Sequence, residues 1–146
     1  MAWICAYWFL FTPAASGGPT PHINPEGVVN GANYATGVAP GSTVFIHGSS
    51  LATETTTAVG SSLPTSLSGT QVRIDGVSAP LYRVSPDQID AQVPWEANAG
   101  VTLSVQVIVN GVLSNTVTVA STAYVAGLFS VGSGDPWRRC PRNRPR

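Results

Sequence analysis

From Val28 to Val119, short runs of Val, Ile, Thr and aromatic residues are interrupted every eight to fifteen positions by clusters of Gly, Pro, Asn, Asp and Ser, and no stretch sustains an apolar period of 3.6. A chain punctuated this way can bury its apolar residues only by laying strands side by side and closing one sheet on another. The run Ile89, Ala91, Val93 alternates with Gln88, Asp90, Gln92, so it predicts a half-buried strand that ends at Pro94. In Thr43–His47, Val44 and Ile46 face one side while Phe45 faces the other with Thr43 and His47. Apolar residues on both faces place that strand centrally in its sheet.

Two hairpins are written into the sequence. Asp75-Gly76 favours a two-residue turn that sets Ile74 opposite Val77 and Val72 opposite Ala79, and Leu81–Val84 continues the chain. At Asn110-Gly111 the same turn would set Val107 opposite Ser114 and Val105 opposite Thr116, mixing the two faces. A three-residue loop of Val109, Asn110 and Gly111, with Gly111 left-handed, instead aligns Val107 with Leu113, Leu103 with Val117 and Gln106 with Ser114; the pattern predicts this bulged loop. Asn115 then falls on the apolar face opposite Val105, where it needs a hydrogen-bond partner or a place at the rim. The Ser-, Thr- and Gly-rich stretch from Gly48 to Gly69 reads as a long mobile excursion.

A length of 146 residues holds one core, and 15 Gly, 12 Pro, no Lys and only 10% charged residues disfavour helices. The fold class expected is all-β: an immunoglobulin-like β-sandwich of about seven strands with extended N- and C-terminal segments, ahead of an unclosed barrel. No repeat of 20 to 50 residues is apparent.

The expected boundaries are a signal-like segment (residues 1–22), a linker (23–27), the sandwich (28–131) and an Arg-rich tail (132–146) that reads as disordered. The apolar run Ala2–Phe11 precedes Ala14, Ala15 and Ser16 in the order of a secretory signal cleaved after Ser16, although no Lys or Arg stands before it. That run is too short to span a bilayer, so the expected location is secreted or at the cell surface. Pro19, Pro21 and Pro25 favour an extended backbone ahead of the domain. Cys5 and Cys140 fall in the two extensions, so no disulfide framework is expected. The net charge of zero hides a polarity: residues 1–134 carry two Arg against six acidic residues, 2 − 6 = −4, which argues against nucleic-acid binding by the folded part.

No G-x-S-x-G, H-E-x-x-H, Walker, G-x-G-x-x-G or paired C-x-x-C motif occurs. A nucleophilic site without a motif would take His47 as base, Ser49 or Ser50 as nucleophile and Asp87 or Asp90 as orienting carboxylate, because such triads are defined by geometry. A histidine at the rim, satisfied by loop backbone, is the simpler reading. Asp75, Asp87, Asp90 and Glu96 could converge as oxygen ligands for Ca²⁺ but lack its loop spacing; a turn Asp and solvated carboxylates are expected instead. Tyr82, Trp95 and Tyr34 offer flat apolar faces, Trp95 as an exposed binding residue past Pro94, with Tyr82 and Tyr34 expected as core or corner residues. The candidate binding set is Tyr82, Asp87, Gln88, Asp90 and Trp95, with no cofactor and no metal.

The phrases VVNGANYATGVAPGSTVFIHGSSLA (28–52), LPTSLSGTQVRIDGVSAPLYRVSPDQIDAQVPWE (63–96), VNGVLSNTVTV and AGLFSVGSG, in that order, resemble an uncharacterised C-terminal domain family abundant in Solibacter and other acidobacteria, over about 105 residues. That resemblance implies an early-set immunoglobulin-like domain related to IPT/TIG modules, attached to exported proteins and without a known catalytic role. Family members commonly carry Asn at the position of Asp90 and a small residue at that of Asp87. They continue into a second half, where this sequence runs into DPWRRCPRNRPR, so a truncation or frame change is expected. The functional expectation is a secreted, non-catalytic interaction or spacer module. Its expected partner is a cell-surface glycan or protein, with self-association through edge strands. The alternative is a small hydrolase acting on an ester or glycoside through His47.

Overall fold

The computed structural model describes residues 18–125; the greater part of the signal-like segment, the Arg-rich tail, Cys5 and Cys140 lie outside them. The described residues form ten strands and no helix: β1 (His22–Asn30), β2 (Thr43–Ser49), β3 (Thr56–Thr57), β4 (Thr70–Ile74), β5 (Val77–Ser78), β6 (Leu81–Val84), β7 (Gln88–Gln92), β8 (Thr102–Val109), β9 (Val112–Leu113) and β10 (Val117–Ala120). Seven of these have four or more residues, and they divide as β1-β2-β7-β6 in one sheet and β10-β8-β4 in the other. The two-residue strands β3 and β5 close the far edges, and β9 pairs with β8.

Alternation puts the core between the sheets. Val44, Ile46, Leu81, Val84, Ile89 and Ala91 from the first sheet meet Val72, Ile74, Leu103, Val105, Val107 and Val119 from the second, all in one buried cluster. The predicted central place of Thr43–His47 holds, since β2 lies between β1 and β7. Burying each such aliphatic side chain stabilises the fold by about 1.5–3 kcal/mol.

The Asp75-Gly76 turn has the predicted register, Ile74 opposite Val77, with both turn residues at positive φ (52° and 82°). The Asn110-Gly111 turn departs from expectation. It too is a two-residue turn, with φ of 49° and 84° and Val109 opposite Val112, and not a three-residue loop. The conflict of faces is resolved further along: beyond the turn Ile108 pairs with Leu113, yet Val105 pairs with Val117 and Leu103 with Val119, so β9 and β10 contain one extra residue between them. At that irregularity Val107 N–H donates to Ser114 Oγ at 2.9 Å and Ser114 N–H donates to the Val107 carbonyl at 2.8 Å. The Ser114 hydroxyl oxygen thus takes the place of a strand carbonyl while the chain regains its phase.

Residues 23–27, expected as linker, lie within β1. His22 pairs with Ser49 and Ile23 with Gly48, then the register breaks before Val28 pairs with Ile46. Ile23 is fully buried. The prolines are compatible with this because Pro25 falls in the irregular stretch at the sheet edge, where no ladder donor is required. A Cβ on Gly48 would overlap the His22 carbonyl oxygen, so the close approach of β1 to β2 needs glycine there.

The excursion from Gly48 to Gly69 is tied to the body. Leu51 is fully buried and its N–H donates to the Pro86 carbonyl at 2.9 Å. Thr56 and Thr57 pair with Val84 and Arg83, and Leu81 N–H donates to the Pro64 carbonyl at 2.8 Å. Composition could not foresee this, because the partners, in β6 and in the turn after it, come 17 to 35 residues later in the chain.

Candidate interaction surfaces

The outward face of the first sheet is built by register. Val29 pairs with Phe45, Phe45 with Asp90, Asp90 with Arg83 and Arg83 with Thr57, giving one row across the sheet. His47 opposite Gln88 and Thr43 opposite Gln92 extend the face on either side of that row. Leu81 and Val84 are both buried although three residues apart, which is possible only because the register slips between Leu81 and Arg83. Tyr82 and Arg83 are therefore both left off the core. Asp90 Oδ1 accepts a 2.6 Å hydrogen bond from Gln88 Nε2, fixing the carboxylate in this face. The Tyr34 ring packs against Phe45 with centroids 5.5 Å apart and planes at 50°. Tyr34 is thus an outer-face residue, 65% exposed at φ 57°, and not the core or corner residue expected. Tyr82 is half-buried.

At one pole of the sandwich the end of β2 meets the β6–β7 turn. Gly48 N–H donates to the Asp87 carbonyl at 3.0 Å, which brings His47, Ser49, Ser50 and Asp87 into one neighbourhood. The side chains make other bonds. The Ser85 hydroxyl lies 2.8 Å from Asp87 Oδ1 and accepts from Gln88 N–H at 3.1 Å. Among the described residues no side-chain hydrogen bond joins His47, Ser49 or Ser50 to Asp87 or Asp90. Beside them a cleft of about 440 Å³ is lined by Gly18, Pro19, Ser50, Pro86, Val109 and Asn110, among others.

The Ser85 hydrogen bond and then a backbone bond at Asp87 itself hold the Asp87 carboxyl below its ordinary value of 3.8; desolvation opposes them, and the charges of Arg83 and His47 add lesser downward contributions. A depressed folded value means that this carboxylate favours the folded state above about 3.8, and that the contribution is lost as pH falls through the lower folded value. In a pH titration followed by carboxyl-carbon NMR, Asp87 should titrate below an unstructured Asp. The Ser85→Ala variant should return it most of the way. An unchanged Asp87 midpoint in that variant would show that the hydroxyl is not the principal cause.

Asp75 sits in the β4–β5 turn and Glu96 past β7, apart from Asp87 and Asp90. Among the described residues no group of three or more His, Cys, Asp or Glu is placed to hold a metal ion. Trp95 lies at the opposite pole from Asp87, 73% exposed, with its ring over Gly41 so closely that a Cβ on Gly41 would overlap it. The candidate binding set is therefore split: Tyr82, Gln88 and Asp90 on or beside one sheet face, Asp87 at one pole, Trp95 at the other.

Asn115 is the residue whose role sequence reasoning left open. Its Oδ1 accepts from Ile23 N–H at 2.7 Å and its Nδ2 donates to the Ile23 carbonyl at 2.9 Å. One amide thus imitates a neighbouring strand, capping the edge of β1 and tying the first sheet to the second. The sequence signal was a polar residue breaking an apolar alternation, but its partner is 92 residues away.

Two stacked antiparallel sheets with these strand orders, seven principal strands and outward-facing polar surfaces define an immunoglobulin-like β-sandwich. Residues 29–125, about two thirds of the chain, match the IPT/TIG domain, and the chain belongs to that family. No curated protein matches it. Domains of this family are commonly non-catalytic interaction or spacer modules that mediate protein interactions. No helix among the described residues is long and apolar enough to cross a membrane.

Proposed function

We propose that this domain is an exported spacer that sets its neighbours in the chain apart and offers the outer face of its first sheet to a protein or glycan at the cell surface. The observation that carries the reading is the position of the two ends. The chain enters beside Ser49, opposite His22, and Gly18 lines the cleft there; it leaves past Ser121, which bonds Val101, and Val125 lines a cleft beside Trp95 at the other pole. A module that enters at one pole and leaves at the other adds its full length to a string of domains, whereas adjacent ends would fold the string back. The eight residues of β8 run between the poles and span about 27 Å at ~3.4 Å per residue.

Spin labels at positions 18 and 124 of the full chain should give one narrow distance distribution centred at roughly 30 Å by this strand-length argument. A broad distribution, or one centred far below that length, would remove the spacer reading. The recognition face draws support from its composition: Phe45 and Tyr82 supply apolar surface between the polar His47, Gln88, Asp90 and Arg83, the mixture typical of reversible contacts. Export is supported by the order of apolar and small residues in 1–16. The resemblance to the acidobacterial domains of secreted proteins supports the same placement.

A further inference from the structure

We infer that Asn110 is a modification site, at which the side-chain amide is exchanged for a carboxylate through ring closure with Gly111, while the chemically equivalent Asn30 is spared. The chain contains Asn-Gly twice, each time after a valine: Val29-Asn30-Gly31 and Val109-Asn110-Gly111. Glycine has no side chain to screen its backbone nitrogen or to restrict the main chain, so both pairs have the same intrinsic reactivity. Their surroundings alone differ.

Asn30 is only 3% exposed and its Oδ1 accepts from Ala32 N–H at 2.8 Å. The Gly31 N–H, which would have to supply the attacking nitrogen, donates to the Thr43 carbonyl at 2.8 Å. A Cβ on Gly31 would come within 3.0 Å of Thr43 Cγ2, so the new ring has no room there. Asn110 is exposed, and among the described residues neither its side chain nor the Gly111 N–H makes a hydrogen bond. A Cβ on Gly111 would meet nothing within 4 Å. The turn is closed only by the two residues of β9, paired with Ile108 and Val109, so a local opening frees it. At Asn30 the same freedom requires β1 to leave β2, where Asn30 pairs with Val44.

In the reaction the Gly111 nitrogen attacks Asn110 Cγ and forms a five-membered imide. The bond from Cγ to the amide nitrogen breaks, and that nitrogen leaves as ammonia with the proton lost by Gly111. Water then adds to one of the two imide carbonyls, giving aspartate or isoaspartate. Isoaspartate inserts one extra carbon into the main chain of a turn that holds only two residues, at φ of 49° and 84°. Asn110 N–H donates to the Gly69 carbonyl at 2.9 Å, and its Oδ1 occupies the space a Cβ on Gly69 would need. The modification therefore releases the Gly69 end of the segment after β2, and it adds a negative charge beside Ser50 and Pro86 in the cleft at that pole.

The test is peptide mapping by mass spectrometry after incubation of the full chain in mildly alkaline buffer, folded and in urea. Unfolded, the two asparagines should convert at rates within about threefold of each other. Folded, Asn110 should convert at least about a hundredfold faster than Asn30, because Asn30 waits for the sheet to open. Comparable folded rates, a faster Asn30, or no conversion of Asn110 in the time both convert in urea overturn the proposal. In the purified isoaspartate form, hydrogen exchange at the residue 110 N–H should be about tenfold faster or more, with Ser121 N–H unchanged at the other pole. The Asn110→Asp variant has the charge without the extra carbon and should stay within about twofold of the parent. Equal protection in the isoaspartate form and the parent, or equal loss in the Asp variant, overturns the release by the lengthened turn.

Discussion

Replacing Asn115 by Ala should cost the domain about 2–4 kcal/mol, because it leaves both the N–H and the C=O of Ile23 without partners next to a fully buried side chain. Each orphaned backbone group costs about 1–3 kcal/mol when water cannot replace its partner, and here partial access to solvent sets the lower bound. Urea unfolding measures the loss. The isosteric Asn115→Asp variant sharpens the result: an ionised carboxylate can still accept from Ile23 N–H but turns a second oxygen towards the Ile23 carbonyl. Protonation supplies the missing donor, so folding raises the carboxyl's pKa. The variant should be least stable at neutral pH and recover as pH falls, opposite in sign to Asp87. With the cap gone, the edge of β1 becomes a row of open donors and acceptors, so Asn115→Ala should also associate more strongly at high concentration. A variant as stable and as monomeric as the parent would show that the amide is incidental.

Leu103→Ala should cost about 3–5 kcal/mol, the range for a leucine with no room for its neighbours to collapse. Leu103 is fully buried on β8, the strand that pairs with both β4 and β10, and lies in the shared core of the two sheets. The loss is the transfer energy of the deleted atoms plus that of the cavity left behind. Single domains have only about 5–15 kcal/mol in total, so the variant should show a much lower urea midpoint or be unfolded at 37 °C. Leu113, on neighbouring β9, provides the contrast: it is 54% exposed, and Leu113→Ala should change the midpoint little. Equal losses at the two positions would contradict the assignment of faces.

The comparison between those two leucines shows where sequence reasoning succeeded and where it stopped. Leu103, Val105 and Val107 alternate cleanly with polar residues, so their burial was legible from period alone. Leu113 was assigned to the same face because the turn was read as three residues, which keeps Val107 opposite it. The structure instead forms the tighter turn that Asn-Gly prefers and places the extra residue past Leu113, beside Ser114. Both solutions correct the phase, and the pattern of side chains does not distinguish them. What distinguishes them is the bond that Ser114 Oγ makes to Val107 and the bond that Asn115 makes to a strand at the start of the domain.

The candidate site divides along the same line. His47, Asp87, Gln88 and Asp90 were legible only as separate candidates in or beside their strands, and the pairing of β2 with β7 is what makes them neighbours. Trp95 was legible as exposed, since it follows Pro94 at a strand end. Phe45 was legible on the same face as His47, but Arg83 and Tyr34 joined the outer face only through cross-strand pairing and one ring contact, and Tyr124 its cleft through the course of the chain after β10.

Local chemistry determined by itself that the chain would be strands, where most of them would turn, and which residues of the cleanly alternating strands would face inward: side-chain alternation and the left-handed tolerance of Gly and Asn act between near neighbours. Only the tertiary structure decided that residues 23–27 are strand and not linker, that the segment after β2 is pinned under the β6–β7 turn, and that the ends lie at opposite poles. Each of those depends on a hydrogen bond or a packing contact between residues far apart in sequence. Such a contact forms only after the two sheets have closed on their common core, and neither partner alone carries a mark of the other.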